Sequence, residues 1–181
     1  MKFAETPLRG AYLVDIEPVE DERGFFARTW CEREFRERGL NPSLKQAALS
    51  FNHKRGTLRG MHFQTGECQE SKLIRCVAGA VFDVIIDLRK GSSTFTRHFA
   101  VELSPGDHRM LYVPEGFAHG FQTLTDGAEM FYQISQFYSP EHAGGVRWND
   151  PTFAIEWPEP VRAISARDRS FPDFDAQRHG L

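Results

Sequence analysis

Short β-forming runs dominate the hydrophobic pattern of the chain from Gln46 onward. They are rich in Val, Ile, Phe, Tyr and Thr, and clusters of Gly, Pro, Ser and Asp separate them. They do not alternate with long amphipathic helices, as the strands of a parallel α/β fold do. The pattern therefore predicts an all-β domain with a few short helices, built as an antiparallel barrel or a double-sheet jelly roll.

Alternation within two of these runs predicts which side chains share a face. In residues 80–88, one alternate set is wholly apolar, whereas the other carries Asp83 and Asp87. We expect this mixed face to line a cavity. In residues 128–138, regular alternation places Tyr132 and Tyr138 on the same face, so both phenols are expected to face one space.

The remaining segments predict little further regular structure. TWCEREFRERGL is the clearest helical candidate, and Gly39 stands where that helix is expected to stop. The carboxy-terminal part is dense in proline and aromatic residues, which is typical of an ordered segment that wraps around a core. With no repeat or linker in its 181 residues, the chain is expected to form a single domain, 1–181.

Charge and cysteine content narrow the possible partners and the compartment. The chain has 22 basic and 25 acidic residues and no basic run, so nucleic acid is not an expected partner. Cys31, Cys68 and Cys76 are odd in number and form no CxxC pair, which favours a reducing cytoplasm over a disulfide framework or a zinc site. The amino terminus lacks the apolar core of a signal peptide, and no apolar stretch is long enough to suggest a membrane partner.

Two histidines are the first candidates for chemistry. His62 lies in GTLRGMHFQ, where it is a proton-transfer base, a metal ligand or a buried, hydrogen-bonded ring. His119 ends a PxGxxH pattern that resembles the second box of cupin jelly rolls, although it also suits a turn that caps a strand. Many cupins bind a metal through HxH in the first box, but here the matching place reads His62-Phe63-Gln64, so the second histidine is missing. The sequence therefore does not predict a metal site.

Without a metal, protein groups must stabilise any negative charge that develops. Lys72 opens the run KLIRCV and is suited to stabilise an enolate, while His62 removes a carbon-bound proton and Tyr132 returns one from the other side. This combination indicates epimerisation next to a carbonyl group. Arg59 would point away from His62 in a regular strand, so a bend at Gly60 is needed to bring both to one site.

Several segments occur together in the order of one known family. They are DERGFFAR, GTLRGMHFQ, SKLIRCVAGAVFDVIIDLRKGSSTF, LYVPEGFAHGF, the run with Tyr132 and Tyr138, GGVRWNDP, AIEWP and ISARD. From about Asp21 to Asp168, the chain resembles the dTDP-4-dehydrorhamnose 3,5-epimerase family, a metal-free cupin-like group. The resemblance implies a jelly-roll homodimer that acts, without a cofactor, on a nucleotide-linked 4-keto-6-deoxy sugar.

The same resemblance implies roles for individual residues. His62 matches the proton-abstracting base, Asp168 the carboxylate that pairs with it, and Tyr132 the general acid on the opposite face. Lys72 matches a catalytic position near the sugar carbonyl. Arg23 and Arg59 match groups that bind the pyrophosphate or the nucleotide, for which a forked guanidinium is suited. The substrate-binding residues implied are Arg23, Gln46, Arg59, Lys72, His119, Tyr138 and Arg167.

Two departures from the family pattern leave the substrate open. QAALSFNHKRG, with Ala48 and Leu49, replaces the usual Gln-x-Asn-x-Ser pattern, and Arg28 stands where glutamate is frequent. The nucleotide is therefore dTDP, CDP or GDP, and either one or both carbons are epimerised. Two rival functions remain: a metal-dependent cupin oxygenase or isomerase, and a non-catalytic module that binds nucleotide sugars.

Simpler interpretations exist for several of these residues. Tyr132 and Tyr138 also suit packing aromatics with a polar tip. Asp168 lies in ARDR, which reads as an exposed charged turn with weak local pairing. Asp83 is either a solvent-facing carboxylate or an interior partner of Lys72 or His119.

Overall fold

Two facing antiparallel sheets form the body of the computed structural model, which describes residues 1–181. The strands are Lys2–Glu5 (β1), Tyr12–Asp15 (β2), Val19–Asp21 (β3), Gly24–Phe26 (β4), Gln46–Asn52 (β5), Thr57–Gln64 (β6), Lys72–Ala78 (β7), Val81–Asp87 (β8), His98–Leu103 (β9), Met110–Val113 (β10), Phe117–Thr123 (β11), Ala128–Ile134 (β12), Ala143–Gly145 (β13) and Ala163–Ile164 (β14).

The strand order confirms the predicted all-β, double-sheet jelly roll. The first sheet runs β1-β2-β10-β7-β12-β5, and the second runs β13-β6-β11-β8-β9. Strand β14 joins the second sheet by pairing with β6 in parallel. Strands β3 and β4 form a separate hairpin. The four strands that precede Gln46 were not part of the sequence prediction.

Helices are few and short, as the sequence predicts. Helix α1 spans Glu32–Glu37, α2 spans Ala166–Arg169 and α3 spans Ala176–His179. Gly39 follows α1 with a φ of 68°, and the N–H of Leu40 reaches back to the carbonyl of Phe35 at 3.0 Å, which ends the helix as expected. No helix has the length and apolar content needed to cross a membrane.

Strand β8 contributes to a core on each of its faces. Val81 and Ile85 pack between the two sheets, whereas Val84 and Ile86 face the opposite side. The carboxy-terminal part covers this second side with apolar side chains, which include Phe153, Trp157, Phe174 and Leu181. The predicted wrapping segment is therefore present, and it explains why the apolar face of residues 80–88 is not exposed to water.

The mixed face of β8 points between the two sheets, but its carboxylates lie behind the cavity surface. Asp83 and Asp87 are both fully buried, and neither is among the residues that line the cavity between the sheets. Asp87 accepts hydrogen bonds from the side chains of Arg89, Ser92 and Thr94, at 2.9, 2.5 and 2.6 Å. This carboxylate therefore organises the turn that follows β8, because a buried charge has to be paired.

Asp87→Asn is expected to lower the free energy of unfolding by about 3 kcal/mol at pH 7. Burial alone would raise the pKa of Asp87, but the hydrogen bonds from Arg89, Ser92 and Thr94 hold it below its ordinary value. A lowered carboxyl pKa stabilises the fold above about pH 4, and the gain is lost as the pH falls further. Denaturant unfolding at pH 7 and pH 3 is expected to show the difference shrinking in acid.

A surface carboxylate provides the control for Asp87. Asp173 is 66% exposed and pairs with Arg147, and exposed ion pairs contribute little to stability. Asp173→Asn is therefore expected to change stability far less than Asp87→Asn. Equal effects of the two substitutions at pH 7 would contradict the structural role given to Asp87.

Candidate active site

A cavity of about 320 Å³ lies between the two sheets and receives side chains from both. Strands β5, β7 and β12 contribute from the first sheet, and β6, β11 and β13 contribute from the second. Most of the residues that the sequence assigns to the site meet here. Those that line the cavity are Gln46, Arg59, His62, Lys72, His119, Tyr132, Tyr138 and Arg167.

A bulge in β6 brings Arg59 and His62 to the same cavity. His62 lies opposite His119, whereas Arg59 lies opposite Phe121, so β6 uses one residue more than β11. Gly60 lies in this bulge with a φ of 133°, and a Cβ there would be 2.6 Å from the Cα of Gly120. The bend that the sequence requires at Gly60 is therefore present, and only glycine fits it.

His62 and Asp168 form a hydrogen-bonded pair at the cavity. The Nε2 atom of His62 is 2.7 Å from Oδ1 of Asp168, and the imidazole side chain is 40% exposed, whereas the carboxylate is buried. The other oxygen of Asp168 accepts a hydrogen bond from the N–H of Gly60 at 3.1 Å. The carboxylate therefore orients the ring while the ring stays accessible.

The local structure around Asp168 contradicts its interpretation as part of an exposed charged turn. Strand β14 places α2 beside β6, and the side chain of Ser165 caps α2 by accepting from the N–H of Asp168 at 3.0 Å. Burial alone would raise the pKa of Asp168, but hydrogen bonds from His62, Gly60 and Ser165 and the charge of His62 hold it below its ordinary value. The group is a buried carboxylate that remains ionised.

A second histidine–carboxylate pair lies deeper in the wall. The Nε2 atom of His119 is 2.9 Å from Oδ2 and 3.1 Å from Oδ1 of Asp83. His119 lies inside β11, so it is not a turn residue that caps a strand. Of the alternatives for Asp83, the structure supports an interior partner of His119.

Tyr132 approaches the cavity from the first sheet, opposite His62 in the second. Its ring contacts the edge of His119, with ring centroids 6.1 Å apart. Burial and the charge of Asp83 raise the pKa of Tyr132 well above the usual value for a phenol, although Arg59 opposes this shift. Tyr132 is therefore a protonated phenol near neutral pH, as a proton donor has to be.

Tyr138 reaches the cavity by a route that the strand pattern did not predict. Strand β12 ends at Ile134, so Tyr138 lies in the irregular segment that follows. It is 57% exposed, and its phenol is 3.4 Å from Nη1 of Arg167. The prediction that Tyr132 and Tyr138 face one space is confirmed, but a regular strand is not the reason.

Lys72 and Glu70 form an ion pair in the cavity wall. The Nζ atom of Lys72 is 2.9 Å from Oε1 of Glu70, and the two side chains are only 11% and 12% exposed. Glu70 was not among the predicted site residues. Its position two residues before Lys72 was an available signal, because alternate residues of an extended segment share a face.

Two predicted site residues do not line the cavity: Asp168, which contacts His62 from behind, and Arg23, which lies elsewhere. Arg23 lies at the turn of the β3–β4 hairpin, its side chain is 84% exposed, and it pairs with Asp21 at 2.5 Å. Arg59, in contrast, has its guanidinium held at the cavity by Asn52, at 2.7 Å. Within a single chain, Arg23 therefore has no contact with the other predicted binding residues.

Comparison with known proteins identifies the family. A family model described as dTDP-4-dehydrorhamnose 3,5-epimerase matches residues 5–176. The chain belongs to this epimerase family. A dTDP-4-dehydrorhamnose 3,5-epimerase of Salmonella typhimurium (strain LT2) is 40% identical over 179 residues, which cover 97% of this chain and 96% of the relative.

Solved structures of the epimerase family have the same fold. The dTDP-4-dehydrorhamnose 3,5-epimerase of Elizabethkingia anophelis has a TM-score of 0.93 and 40% identity, with 96% of each chain covered. A dTDP-6-deoxy-D-glucose-3,5-epimerase of Legionella pneumophila, in complex with dTDP-4-keto-L-rhamnose, has a TM-score of 0.88 and 33% identity, with 97% of this chain and 95% of that chain covered. The predicted cupin-like jelly roll is confirmed.

The two departures from the epimerase family's usual pattern have different positions. Ala48 lines the cavity and lies directly opposite Tyr132 in the pairing of β5 with β12. Leu49 is 59% exposed, and Arg28 pairs with Glu34 at 3.2 Å, away from the cavity. Of these three residues, only Ala48 is placed to affect substrate recognition within the chain.

Candidate metal ligands are not clustered in this member of the epimerase family. No group of three or more His, Cys, Asp or Glu side chains is arranged to hold a metal ion. Gln64, which stands where the second histidine of a cupin HxH pair would stand, is buried, and its amide contacts Glu70 and the N–H of Ser139. This position makes hydrogen bonds within the protein instead of coordinating a metal.

Proposed function

We propose that the protein epimerises a dTDP-linked 4-keto-6-deoxy sugar at carbons 3 and 5, without a cofactor. The observation that carries the proposal is the placement of His62, with Asp168, and Tyr132 on facing sheets of one cavity. A base and an acid on opposite sides of a substrate are what inversion of a carbon centre requires. Membership of the epimerase family supports the choice of substrate.

The proposed mechanism uses the acidity of a C–H bond next to a ketone. His62 removes the proton, and the carboxylate of Asp168 stabilises the positive charge that the ring gains. Lys72 and His119 stabilise the enolate oxygen, and Tyr132 protonates the opposite face of the carbon. Carbons 3 and 5 both flank the carbonyl at carbon 4, so the same groups serve both positions.

The nucleotide end is proposed to lie near the cationic and aromatic groups of the rim. Arg59 and Arg167 provide guanidinium groups for the pyrophosphate, and Tyr138 provides a ring for packing. The side chain of Gln46 fixes the Tyr138 segment by accepting from its N–H at 2.8 Å. These residues form the substrate-binding set of the proposal within one chain.

We also propose that the protein is a homodimer. The hairpin that carries Arg23 exposes Val19 and Phe26, at 73% and 77%, and exposed apolar clusters of this kind mark interaction surfaces. Arg23 would then contact substrate across the subunit interface, since its own chain does not place it at the cavity. Cross-linking or sedimentation of the purified protein tests the dimer.

The remaining proposals concern the domain and the compartment. Residues 1–181 are proposed to fold as one domain. The apolar cores on the two faces of β8 support this, because both are built on the same strand. Cys31, Cys68 and Cys76 are all free thiols, which supports a reducing compartment such as the cytoplasm.

Proton NMR in deuterated water tests the proposed activity. Purified protein is incubated with dTDP-, CDP- and GDP-linked 4-keto-6-deoxy sugars, and solvent deuterium is expected at carbons 3 and 5 of the dTDP sugar. Deuterium at one carbon would indicate a single-site epimerase instead. Binding without exchange on any of the three sugars would favour a binding module and overturn the proposal, whereas activity lost to a chelator and restored by metal would favour a metal-dependent cupin enzyme.

A further inference from the structure

Glu70 is the acidic side chain in the cavity wall that contacts Lys72. One oxygen of its carboxylate lies 2.9 Å from the Lys72 ammonium, and both side chains are largely buried while lining the cavity. Glu70 immediately precedes the buried Ser71 and follows the single-turn helix Gly66–Cys68. The pair is therefore part of the interior of the site.

A buried amide fixes the other side of Glu70. The Nε2 group of Gln64 donates to the second carboxylate oxygen of Glu70 at 2.9 Å, and Gln64 is only 3% exposed. The Oε1 atom of Gln64 accepts from the N–H of Ser139 at 2.7 Å. The two N–H bonds of Nε2 are shared between Glu70 and the carbonyls of Cys68 and Phe137, at 2.9 and 3.1 Å. One side chain thus connects the Glu70–Lys72 pair to both neighbours of Tyr138.

The contact with Glu70 offsets the cost of burying a lysine side chain in the cavity wall. The lysine ammonium is a compact charge on a flexible four-carbon stem, and a buried ammonium requires a partner. Glu70 supplies the counter-charge, 2.9 Å from the ammonium. The N–H donors of Lys72 remain available to a ligand in the cavity, at a position that the Glu70–Gln64 contact holds in place.

We propose that Glu70 is a positioning residue, which aims the Lys72 ammonium at the sugar carbonyl and is itself anchored by Gln64. This inference rests on the proposed epimerase function. Glu70 acts through Lys72, so it affects the step in which the enolate forms more than it affects binding of the nucleotide. A misplaced catalytic group lowers the rate even when the substrate still binds.

Kinetics of Glu70→Gln tests this role. The variant is expected to lose about ten- to a hundred-fold in kcat, with KM changed by less than about three-fold. Glu67→Gln is the matched control, because Glu67 lies in the single-turn helix just before Glu70, is exposed and does not line the cavity. The control is expected to keep kcat within about two-fold of the unmodified protein. A kcat for Glu70→Gln equal to or above that of the unmodified protein would overturn the proposal.

A double-mutant cycle separates positioning from a general loss of structure. In a Lys72→Gln background, Glu70→Gln is expected to cause no further decrease in the exchange rate, because its effect passes through Lys72. Independent, multiplicative losses would overturn the proposal. If Glu70→Gln does not fold, Glu70→Asp keeps the charge and shifts it by one methylene; a reduced kcat in that variant supports the role, and an unchanged kcat overturns it.

An assay of the unmodified protein on the same sugar separates failure of the Glu70 proposal from failure of the proposed epimerase activity. Absence of deuterium exchange in the unmodified protein counts against the epimerase activity itself. Normal exchange in both the unmodified protein and Glu70→Gln counts only against the role of Glu70.

Discussion

Replacing His62 with alanine is expected to lower the rate of deuterium exchange at the keto sugar by roughly 10²- to 10⁴-fold, the usual contribution of a general base. The imidazole is accessible at the cavity and is oriented by Asp168 at 2.7 Å, so it is the group equipped to take a proton and hold the resulting charge. The measurement is proton NMR of the substrate in deuterated water, with the initial rate of signal loss compared between variants.

The fold is expected to survive this substitution. Asp168 keeps its contact with the N–H of Gly60, and Ser165 still caps the helix that carries it. His53→Ala serves as the control, since His53 is exposed and lies outside the cavity. The decisive result against this role would be a His62→Ala protein that has the Tm of the unmodified protein, binds dTDP and retains more than a tenth of the exchange rate. His62 would then not be the catalytic base.

The local sequence pattern was sufficient to predict the strands that carry the main catalytic candidates. Runs of β-forming residues predicted the strands of His62, Lys72 and Tyr132, and the geometry of a strand predicted the bend at Gly60. These predictions depend on neighbours within a few residues. The pattern failed for the hairpin of β3 and β4, whose strands are three residues long, exposed and free of any buried face to impose alternation.

Contacts between distant residues could not be predicted in the same way. Asp168 is 106 residues from His62, and ARDR in isolation looks like a solvated turn; only the family resemblance indicated the pairing. Asp83 and His119 are 36 residues apart and meet because β8 and β11 are neighbours in the second sheet. The order of strands in the sheet decides the pairing of His119, and the path of the chain to α2 decides that of His62. A single sequence reveals neither.

Replacing Tyr132 with phenylalanine is expected to separate proton exchange from inversion. His62 can still remove a proton and return a deuteron to the same face, so solvent exchange continues. Protonation of the opposite face loses its donor, and formation of the inverted sugar is expected to fall by about 10²-fold or more. The substitution keeps the ring that packs against His119. Proton NMR measures both quantities in one sample, because exchange removes a signal and inversion changes the coupling constants.

Tyr138→Phe is the matched control for this experiment, since it removes the other phenol that lines the cavity. Tyr138 is more than half exposed and lies beyond the end of β12, whereas Tyr132 lies within that strand, opposite the sheet that holds His62. We therefore expect Tyr138→Phe to keep the ratio of inversion to exchange near that of the unmodified protein and to alter mainly KM. If Tyr138→Phe instead abolished inversion while Tyr132→Phe preserved it, the acid would lie on the irregular segment after β12, and the two-sheet arrangement of base and acid would be wrong.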